Sequence, residues 1–365
     1  MRVLLITGSY PPMKCGVGDY SYHLVKALAA DPKIHIGVLT SAFDGALNKI
    51  SGVEIFPVIK KWGLAEIPHV MKIIRQWSPD IVHIQYPTQG YYGKGWLPLV
   101  LPLISFMTGK TVVQTWHEGY SLRNAPVFFI KSIVFGGLVF MRAQYKETLH
   151  PMLRWALWKH KTVFIPIASN ITASKIDKQS KDALRQKYLK KQARLIVFFG
   201  FVYPHKGIEL LFEIADPASD QIVIAGEIGA AGDYGQEISR RYSAGPWLGK
   251  VTITGFLPND DISALLSVAD AVILPFRSGG GDWNRGSVKA SVTHGAFTIT
   301  TSLTQNGYDK KHNLYYAKVD DVPEMKTALH DYAGKRRSYD AEIDRNEWLE
   351  IADQHRSFYD NLLSK

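Results

Sequence analysis

"RLIVFFGFVYPHKGIELLFEIADPASDQIVIAG", residues 194–226, decides how the chain is read. An unbroken apolar run ends in glycine. A short polar loop follows, then apolar residues at helical spacing, then a second apolar run that again ends in glycine. This is a strand–helix–strand unit of a parallel sheet, whose strands are buried on both faces and so lack polar alternation. The same rhythm opens the chain. "RVLLIT" precedes the helical "VGDYSYHLVKALAA", and "IHIGVLT", "VEIFPV", "AEIPHVMKIIRQW", "DIVHIQ", a helix around 96–108 and "TVVQTW" continue it. It lapses over the basic, irregular stretch 147–193 and restarts at residue 194, where "KVTITG", "NDDISALLSVA", "DAVILPF", "GSVKASVTHG" and "FTITTS" follow. The pattern predicts two α/β domains with parallel sheets, residues 1–165 and 166–343, although no sequence repeat relates them. The last stretch, "NEWLEIADQHRSFYDNLL", predicts a strongly amphipathic helix that needs a surface to cover.

A chain of 365 residues with 46% hydrophobic content has core material for two such domains. Cys15 is its only cysteine, which excludes an internal disulfide framework and makes a thiolate metal cluster implausible. "MRVLLITGSYPP" reads as a first strand and not as a signal peptide, so a cytoplasmic location is expected. The net charge of +10 admits nucleic acid, an anionic membrane or phosphorylated substrates as partners. Without zinc-finger spacing, an RNP-like aromatic pattern or a basic tail, nucleic acid is the weakest of these, and none is expected. The apolar runs 96–109 and 126–141 fall short of the ~20 residues of a spanning helix, and their plain reading is buried core helix.

Four turns at strand ends concentrate glycine or polar chemistry. "PFRSGGGDWNRGSVKASVTHG", residues 275–295, has three glycines, then Asp282, Asn284, Arg285, Gly286 and Ser287 before a predicted helix. Glycines allow close backbone approach, a helix start offers unpaired N–H groups, and arginine offers a fork of donors, a combination suited to phosphate. An ordinary solvated loop with an Asp N-cap is the alternative. Gly16 and Gly18 open the first helix but lie too far past the first strand for a dinucleotide fingerprint; a phosphate cradle or a surface turn remains. His117 and Glu118 follow "TVVQTW", where an open α/β sheet binds its ligands, so His117 serves either chemistry or structure. Lys206 precedes a helix start after "RLIVFFG" and reads as a diphosphate ligand or as a solvated lysine. Together the four turns fit a ligand in a cleft between two α/β domains.

In this order the motifs resemble those of the GT-B glycosyltransferases of family four, over nearly all of the chain. "LLITGSYPPMKCGVGDYSYHLVKAL" is similar to the family's opening strand, glycine loop and helix. "VVQTWHEGY" is similar to the strand carrying its active-site histidine, "FIPIASNI" to its linker strand, and "FFGFVYPHKGIELL" to the segment with its phosphate-binding lysine. "TGFLPNDDISALLSVADAVILPF" is the most specific match, and the terminal helix, about 344–365, resembles one that crosses back to the first domain. The resemblance implies GT-B architecture, with two Rossmann-like domains facing a cleft. It implies His117, Asp282 and Lys206 as catalytic and Glu118 as an acceptor or sugar contact. Donor contacts would come from Gly16, Gly18, Lys206, Gly226, Gly255, Phe256, Gly280, Asp282, Arg285, Gly286 and Ser287. Two departures stand out. Phe201 occupies the place of a usual arginine, and Asp282 and Ala290 occupy those of two usual glutamates, a pattern similar to a divergent subgroup with "RGS" in the same loop. Arg285 is the expected replacement for the missing arginine.

The implied reaction moves a sugar from a UDP-, GDP- or dTDP-sugar to a glycan or lipid-linked acceptor hydroxyl, with retention, in cell-envelope polysaccharide or glycolipid synthesis. No carboxylate is evidently placed as a nucleophile, so front-side displacement fits. No cofactor beyond the co-substrate and no metal site is expected. A non-catalytic GT-B protein binding a sugar nucleotide or a partner, and a nicotinamide oxidoreductase, are the rival readings. Finally, residues 121–161 interleave Arg142, Lys146, Arg154, Lys159 and Lys161 with Leu153, Trp155, Leu157 and Trp158. This suits peripheral attachment to the cytoplasmic face of an anionic membrane, the alternative being a packed helix pair with solvated charges.

Overall fold

A computed structural model describes residues 1–45, 47–91, 95–142, 145–173, 176–189, 194–229, 232–277, 285–337 and 341–364, with backbone only for 341–346. The chain divides into two compact units, Met1–Ile167 with Arg345–Lys365, and Ala168–Asp344.

The first unit runs β1 (Arg2–Ile6), α1 (Gly16–Leu28), β2 (His35–Ser41), β3 (Val53–Ile59), α2 (Ile67–Trp77), β4 (Ile81–Tyr86), α3 (Leu97–Met107), β5 (Thr111–Trp116), α4 (Ala125–Ser132), β6 (Gly137–Phe140), α5 (Tyr145–Thr148), α6 (Pro151–Ala156) and β7 (Lys161–Phe164). The strands form one sheet in the order β3-β2-β1-β4-β5-β6-β7, parallel throughout. The second unit runs α7 (Lys178–Tyr188), β8 (Arg194–Phe199), α8 (Leu211–Ile214), β9 (Asp220–Ala225), α9 (Gly232–Tyr242), β10 (Val251–Ile253), α10 (Asn259–Val268), β11 (Ala271–Leu274), α11 (Gly286–Thr293), β12 (Thr298–Thr301), β13 (Gly307–Asp309), β14 (Leu314–Ala317) and α12 (Val322–Tyr332). Its sheet is ordered β10-β9-β8-β11-β12-β14-β13, and only β13 is antiparallel. Both are doubly wound Rossmann-like sheets, each reversing direction once, at β1/β4 and at β8/β11. Loops leaving the carboxyl ends of those strands diverge and open the crevice in which such folds bind ligands.

The central strands are buried along their whole length, as in β4 and β9, because helices cover both faces. Each unit has its own core: Leu4, Ile6, Val82 and Ile84 belong to the first, Ile196, Val197, Ile224 and Ile273 to the second. The final helix, α13 (Ala341–Leu363), places Ile351, Phe358, Tyr359 and Leu362 in buried positions. Its residues from Arg345 onward belong to the first unit. A Cβ on Gly137 of β6 would lie 2.7 Å from Leu362 and 2.8 Å from Phe358, so glycine is what lets this helix approach the sheet so closely.

The expectation of a core helix over 126–141 is corrected. Only α4 is helical, and the rest of the run turns at Gly136 and becomes β6. A Cβ on Gly136 would meet the Val112 carbonyl oxygen at 2.3 Å, so the glycine pair breaks the helix and brings the chain against β5. The helix expected over "GIELLFEIA" is a 3₁₀ turn, Ile208–Leu210, and then the single turn of α8. In "FIPIASNI" only Phe164 is strand, the last residue of β7; Ile165 adds one bond to the Phe140 carbonyl, and Pro166 has no N–H to extend the ladder. Among the described residues no helix is long and apolar enough to cross a membrane.

Candidate functional site

The amino ends of the second sheet are held by paired charges. Arg194 forks onto Asp220 at 2.6 and 3.0 Å, and Arg185 onto Asp270 at 3.1 and 3.0 Å. At the carboxyl ends of the switch-point strands Arg277 pairs with Glu209 at 3.0 Å and with Asp320 at 3.1 Å. After β8 the chain passes Gly200 and makes a 3₁₀ turn, Pro204–Lys206, capped by Gly207 at φ +65°. A Cβ on Gly207 would lie 2.3 Å from the Pro275 carbonyl oxygen, and Arg277 N–H donates to the His205 carbonyl at 2.9 Å. Only glycine supplies both this conformation and this clearance, and it binds the loop after β8 to the loop after β11.

That seam gathers cations. Lys206 Nζ is 4.5 Å from the centroid of the Phe276 ring, and the Arg285 guanidinium carbon is 4.8 Å from the same centroid. Lys206 makes no ion pair with any described carboxylate. Burial, and then the neighbouring Arg285, pull its pKa down to about 7. The same pair of cations adds to burial in lowering the pKa of His205. An ammonium held among other cations in a low-dielectric corner is an arrangement awaiting an anion. The start of α11 points the same way. It begins at Gly286 directly after Arg285, with no side-chain cap from that residue and no acidic residue in its first turn, and the first amides of a helix have no partner within the helix. Asp282 and Gly280 lie outside the described residues. Phe201 stacks with Tyr203 at 6.2 Å, and Tyr203 with His205 at 5.5 Å, so an aromatic ladder takes the place of a second cation on this loop.

Beside this seam, a cavity of about 530 Å³ opens where β9 and β10 end. Gly226, Glu227, Ile228, Gly229, Tyr242 and Gly255 line it. Gly226 is pressed against the loop after β8, where a Cβ would meet the Gly200 carbonyl at 2.4 Å; Gly255 adopts φ +70°. Phe256, the next residue, is 48% exposed. The four successive strands β10, β9, β8 and β11 thus end in adjacent loops carrying Gly255, Gly226, Lys206 and Arg285. Among the described residues no group of three histidine, cysteine or acidic side chains is arranged to hold a metal.

In the first unit, His117 follows β5 directly and its N–H continues the ladder to the Tyr86 carbonyl at 2.8 Å. Its Nε2 lies 2.9 Å from Gln85 Oε1. An amide oxygen only accepts, so the proton of His117 is on Nε2 and Nδ1 carries the lone pair. The Gln85 amide nitrogen donates onward to His83 Nε2 at 3.3 Å, and His83 Nδ1 donates to the Tyr359 hydroxyl at 2.6 Å. Thr115 Oγ1 also lies 2.7 Å from His83 Nε2. Burial, with His355 second, lowers the pKa of His117 to about 3, and His83 is held well below the ordinary histidine range for the same first reason. The chain from His117 through Gln85 and His83 to α13 therefore holds a neutral imidazole in one tautomer. The Tyr20 ring meets His117 edge-on at 4.8 Å. Glu118 is exposed.

Gly18 and Gly16 have different surroundings. A Cβ on Gly18 would lie 3.0 Å from the Ser9 carbonyl, whereas one on Gly16 would meet nothing within 4 Å. Gly18 is a packing requirement, and its amide is capped by Cys15 Sγ at 3.4 Å.

Several residues of these sites carry no motif. His83 and Gln85 did leave a trace, as two polar residues inside the buried strand "IVHIQY". Asp19 is raised to about 6 by burial in the first turn of α1, and Lys131 is lowered to about 8, chiefly by burial. The Lys131 ammonium lies 3.8 Å from the Tyr86 ring centroid and 3.0 Å from the Tyr120 hydroxyl.

No protein-family model and no curated protein matches the sequence. Solved structures do match the fold. HepE from Anabaena, described in complex with UDP and glucose, is 16% identical with a TM-score of 0.71, covering 99% of this chain and 100% of its own. Sucrose-phosphate synthase from Thermosynechococcus elongatus is 15% identical with a TM-score of 0.73, covering 100% and 99%. WaaG, a glycosyltransferase involved in lipopolysaccharide biosynthesis, is 15% identical with a TM-score of 0.62, covering 99% and 97%. With its two Rossmann-like sheets and full-length likeness to these structures, the chain has the GT-B fold.

Proposed function

We propose that the protein is a glycosyltransferase that moves a sugar from a nucleotide-sugar donor to an acceptor hydroxyl. The observation that carries this reading is the cationic seam at the β8/β11 switch point, where Lys206, Arg285 and the start of α11 meet without a described carboxylate on Lys206. The solved structures support it, since HepE is described bound to UDP-glucose and to UDP. In this reading Lys206, Arg285 and the amides of Gly286 and Ser287 hold the diphosphate, and the cavity beside Gly226 and Gly255 takes the nucleoside. Asp282 accepts hydrogen bonds from sugar hydroxyls. His117 and Glu118 serve the acceptor or sugar side, with neutral His117 Nδ1 accepting a hydrogen bond from a hydroxyl there.

Negative charge grows on the leaving phosphate in the transition state, and fixed cations and helix amides stabilise it. We infer retention by front-side displacement. The bond from the anomeric carbon to the phosphate oxygen breaks, the bond to the acceptor oxygen forms on the same face, and the acceptor proton passes to the departing phosphate. The diphosphate contacts are cationic, so the reaction is proposed to need no divalent metal. A glycan or lipid-linked acceptor in cell-envelope synthesis on the cytoplasmic side is part of the proposal.

One observation favours the rival reading of a binding protein without turnover. Ala290 is buried within α11, so no side chain at that position reaches a ribose. Incubation with a panel of UDP-, GDP- and dTDP-sugars and glycan acceptors separates the two. Release of a nucleoside diphosphate with glycosylated product supports the enzyme, and tight binding of a donor with no turnover supports the rival.

A further inference from the structure

Building on the transfer reaction above, we propose that the acceptor carries an oxyanion, a phosphate or a carboxylate, and that Lys131 of α4 binds it. Lys131 is only 7% exposed. Its ammonium lies 3.8 Å from the centroid of the Tyr86 ring and 5.6 Å from that of Tyr120, and it donates to the Tyr120 hydroxyl at 3.0 Å. Tyr86 is the last residue of β4. Trp116, the last residue of β5, meets the Tyr120 ring at 4.9 Å. The ammonium therefore sits at the carboxyl ends of β4 and β5, beside the loop that begins at His117, where an open α/β sheet takes its ligands.

Nothing described neutralises this cation. Lys131 makes no ion pair with any described carboxylate. Glu118 favours its charged form from beyond ion-pair distance, and burial outweighs that effect, lowering the pKa to about 8. An ammonium has three N–H donors, and the Tyr120 hydroxyl is the one described acceptor they meet. A buried charge without a counter-charge is costly, and packing alone would be served by methionine or leucine. The surroundings hold the lysine in place all the same. Gln114 Nε2 donates to the Lys131 carbonyl at 2.9 Å while Gln114 Oε1 accepts from Trp116 Nε1 at 3.2 Å. The Tyr86 hydroxyl donates to the Pro98 carbonyl at 2.5 Å, which fixes the ring beneath the ammonium. A fixed, desolvated cation with unused donors is matched to an oxyanion. Lys206 and Arg285 already answer the donor diphosphate, which leaves the anion at Lys131 to the acceptor.

The test observes Lys131 itself and needs neither donor nor turnover, so its failure and a failure of the transfer reading are separate results. The full chain carrying Lys206→Ala, which removes the ammonium of the donor seam, is labelled with carbon-13 at the lysine ε carbons. The Lys131 signal in its NMR spectrum is the one that Lys131→Arg removes, with Lys131→Met as a second variant for the assignment. Inorganic phosphate and acetate are titrated in separately, with chloride at matched ionic strength as the third arm. Phosphate or acetate is expected to move the Lys131 signal saturably and to raise its titration midpoint by about one pH unit, the effect of an opposite charge held close by. Chloride should leave the signal in place. A response to phosphate alone assigns the anion to a phosphate ester, and a response to acetate assigns it to a carboxylate. No response to either anion, or an equal response to chloride, overturns the proposal.

Discussion

Lys206 and Arg285 approach one aromatic ring, that of Phe276, from two loops far apart in the sequence. Two cations that repel one another are held there by the packing of Gly207 against Pro275 and by the Arg277–His205 backbone bond. Lys206→Ala is expected to lower transfer by about 100-fold, the usual loss on removing one donor that stabilises developing charge, while the protein stays folded. Arg285→Ala should behave similarly. Steady-state kinetics on the two variants check this, and unchanged activity in either removes that residue from the diphosphate site.

Donor binding should take up a proton. Free Lys206 titrates at about 7, lowered first by burial and then by Arg285. A bound diphosphate favours the ammonium and raises that value. Affinity is therefore highest below pH 7 and declines as pH rises through and beyond it. Calorimetry at about pH 8 in two buffers of different ionisation enthalpy should register the uptake, and Lys206→Ala should remove most of it. Affinity independent of pH across that range would be inconsistent with a titrating Lys206 in the site.

His117 should stay neutral with its proton on Nε2 between about pH 5 and pH 8, because burial lowers its pKa to about 3 and Gln85 Oε1 accepts from it. Nitrogen-15 NMR of labelled histidine reads tautomer and titration directly. His117→Ala is expected to lose most transfer while nucleotide binding is largely kept. Equal loss of stability and activity would assign the residue to structure instead.

Much of the fold is legible in the sequence because its central strands are largely apolar runs ending in glycine or polar turns; β1 and β8 show this most plainly, while β4, β5 and β9 each include polar residues. What is hidden has physical causes. Strand β6 lies inside a run whose helical and extended parts are both rich in apolar residues, so composition does not mark the boundary, and the close approach of Gly136 to Val112 belongs to the fold alone. Strands β13 and β14 are too short to display a period. At the candidate site, strand-end glycines and cations can be picked out singly. Their convergence on Phe276 and the bond from His83 to Tyr359 join residues distant in the chain, which no local pattern encodes.

Gly207→Ala is expected to destabilise the protein by about 2 kcal/mol or more, since a side chain at φ +65° is strained and its Cβ would lie 2.3 Å from the Pro275 carbonyl. Chemical denaturation measures the loss. Stability equal to that of the unsubstituted protein would mean that the two loops are not locked as described.

A chelator should leave transfer intact, because the groups assigned to the diphosphate are Lys206, Arg285 and backbone amides in place of carboxylates. Restoration of chelated enzyme by magnesium or manganese would contradict this.

The most direct measurement is calorimetric titration of UDP, GDP and dTDP into the unsubstituted protein, Lys206→Ala and Arg285→Ala. One nucleotide is expected to bind the unsubstituted protein, with affinity at least about tenfold weaker in each variant, the loss of one charge-assisted contact. Absence of binding by all three nucleotides, or equal affinity in the variants, would contradict the assignment of this seam to a nucleotide-sugar diphosphate.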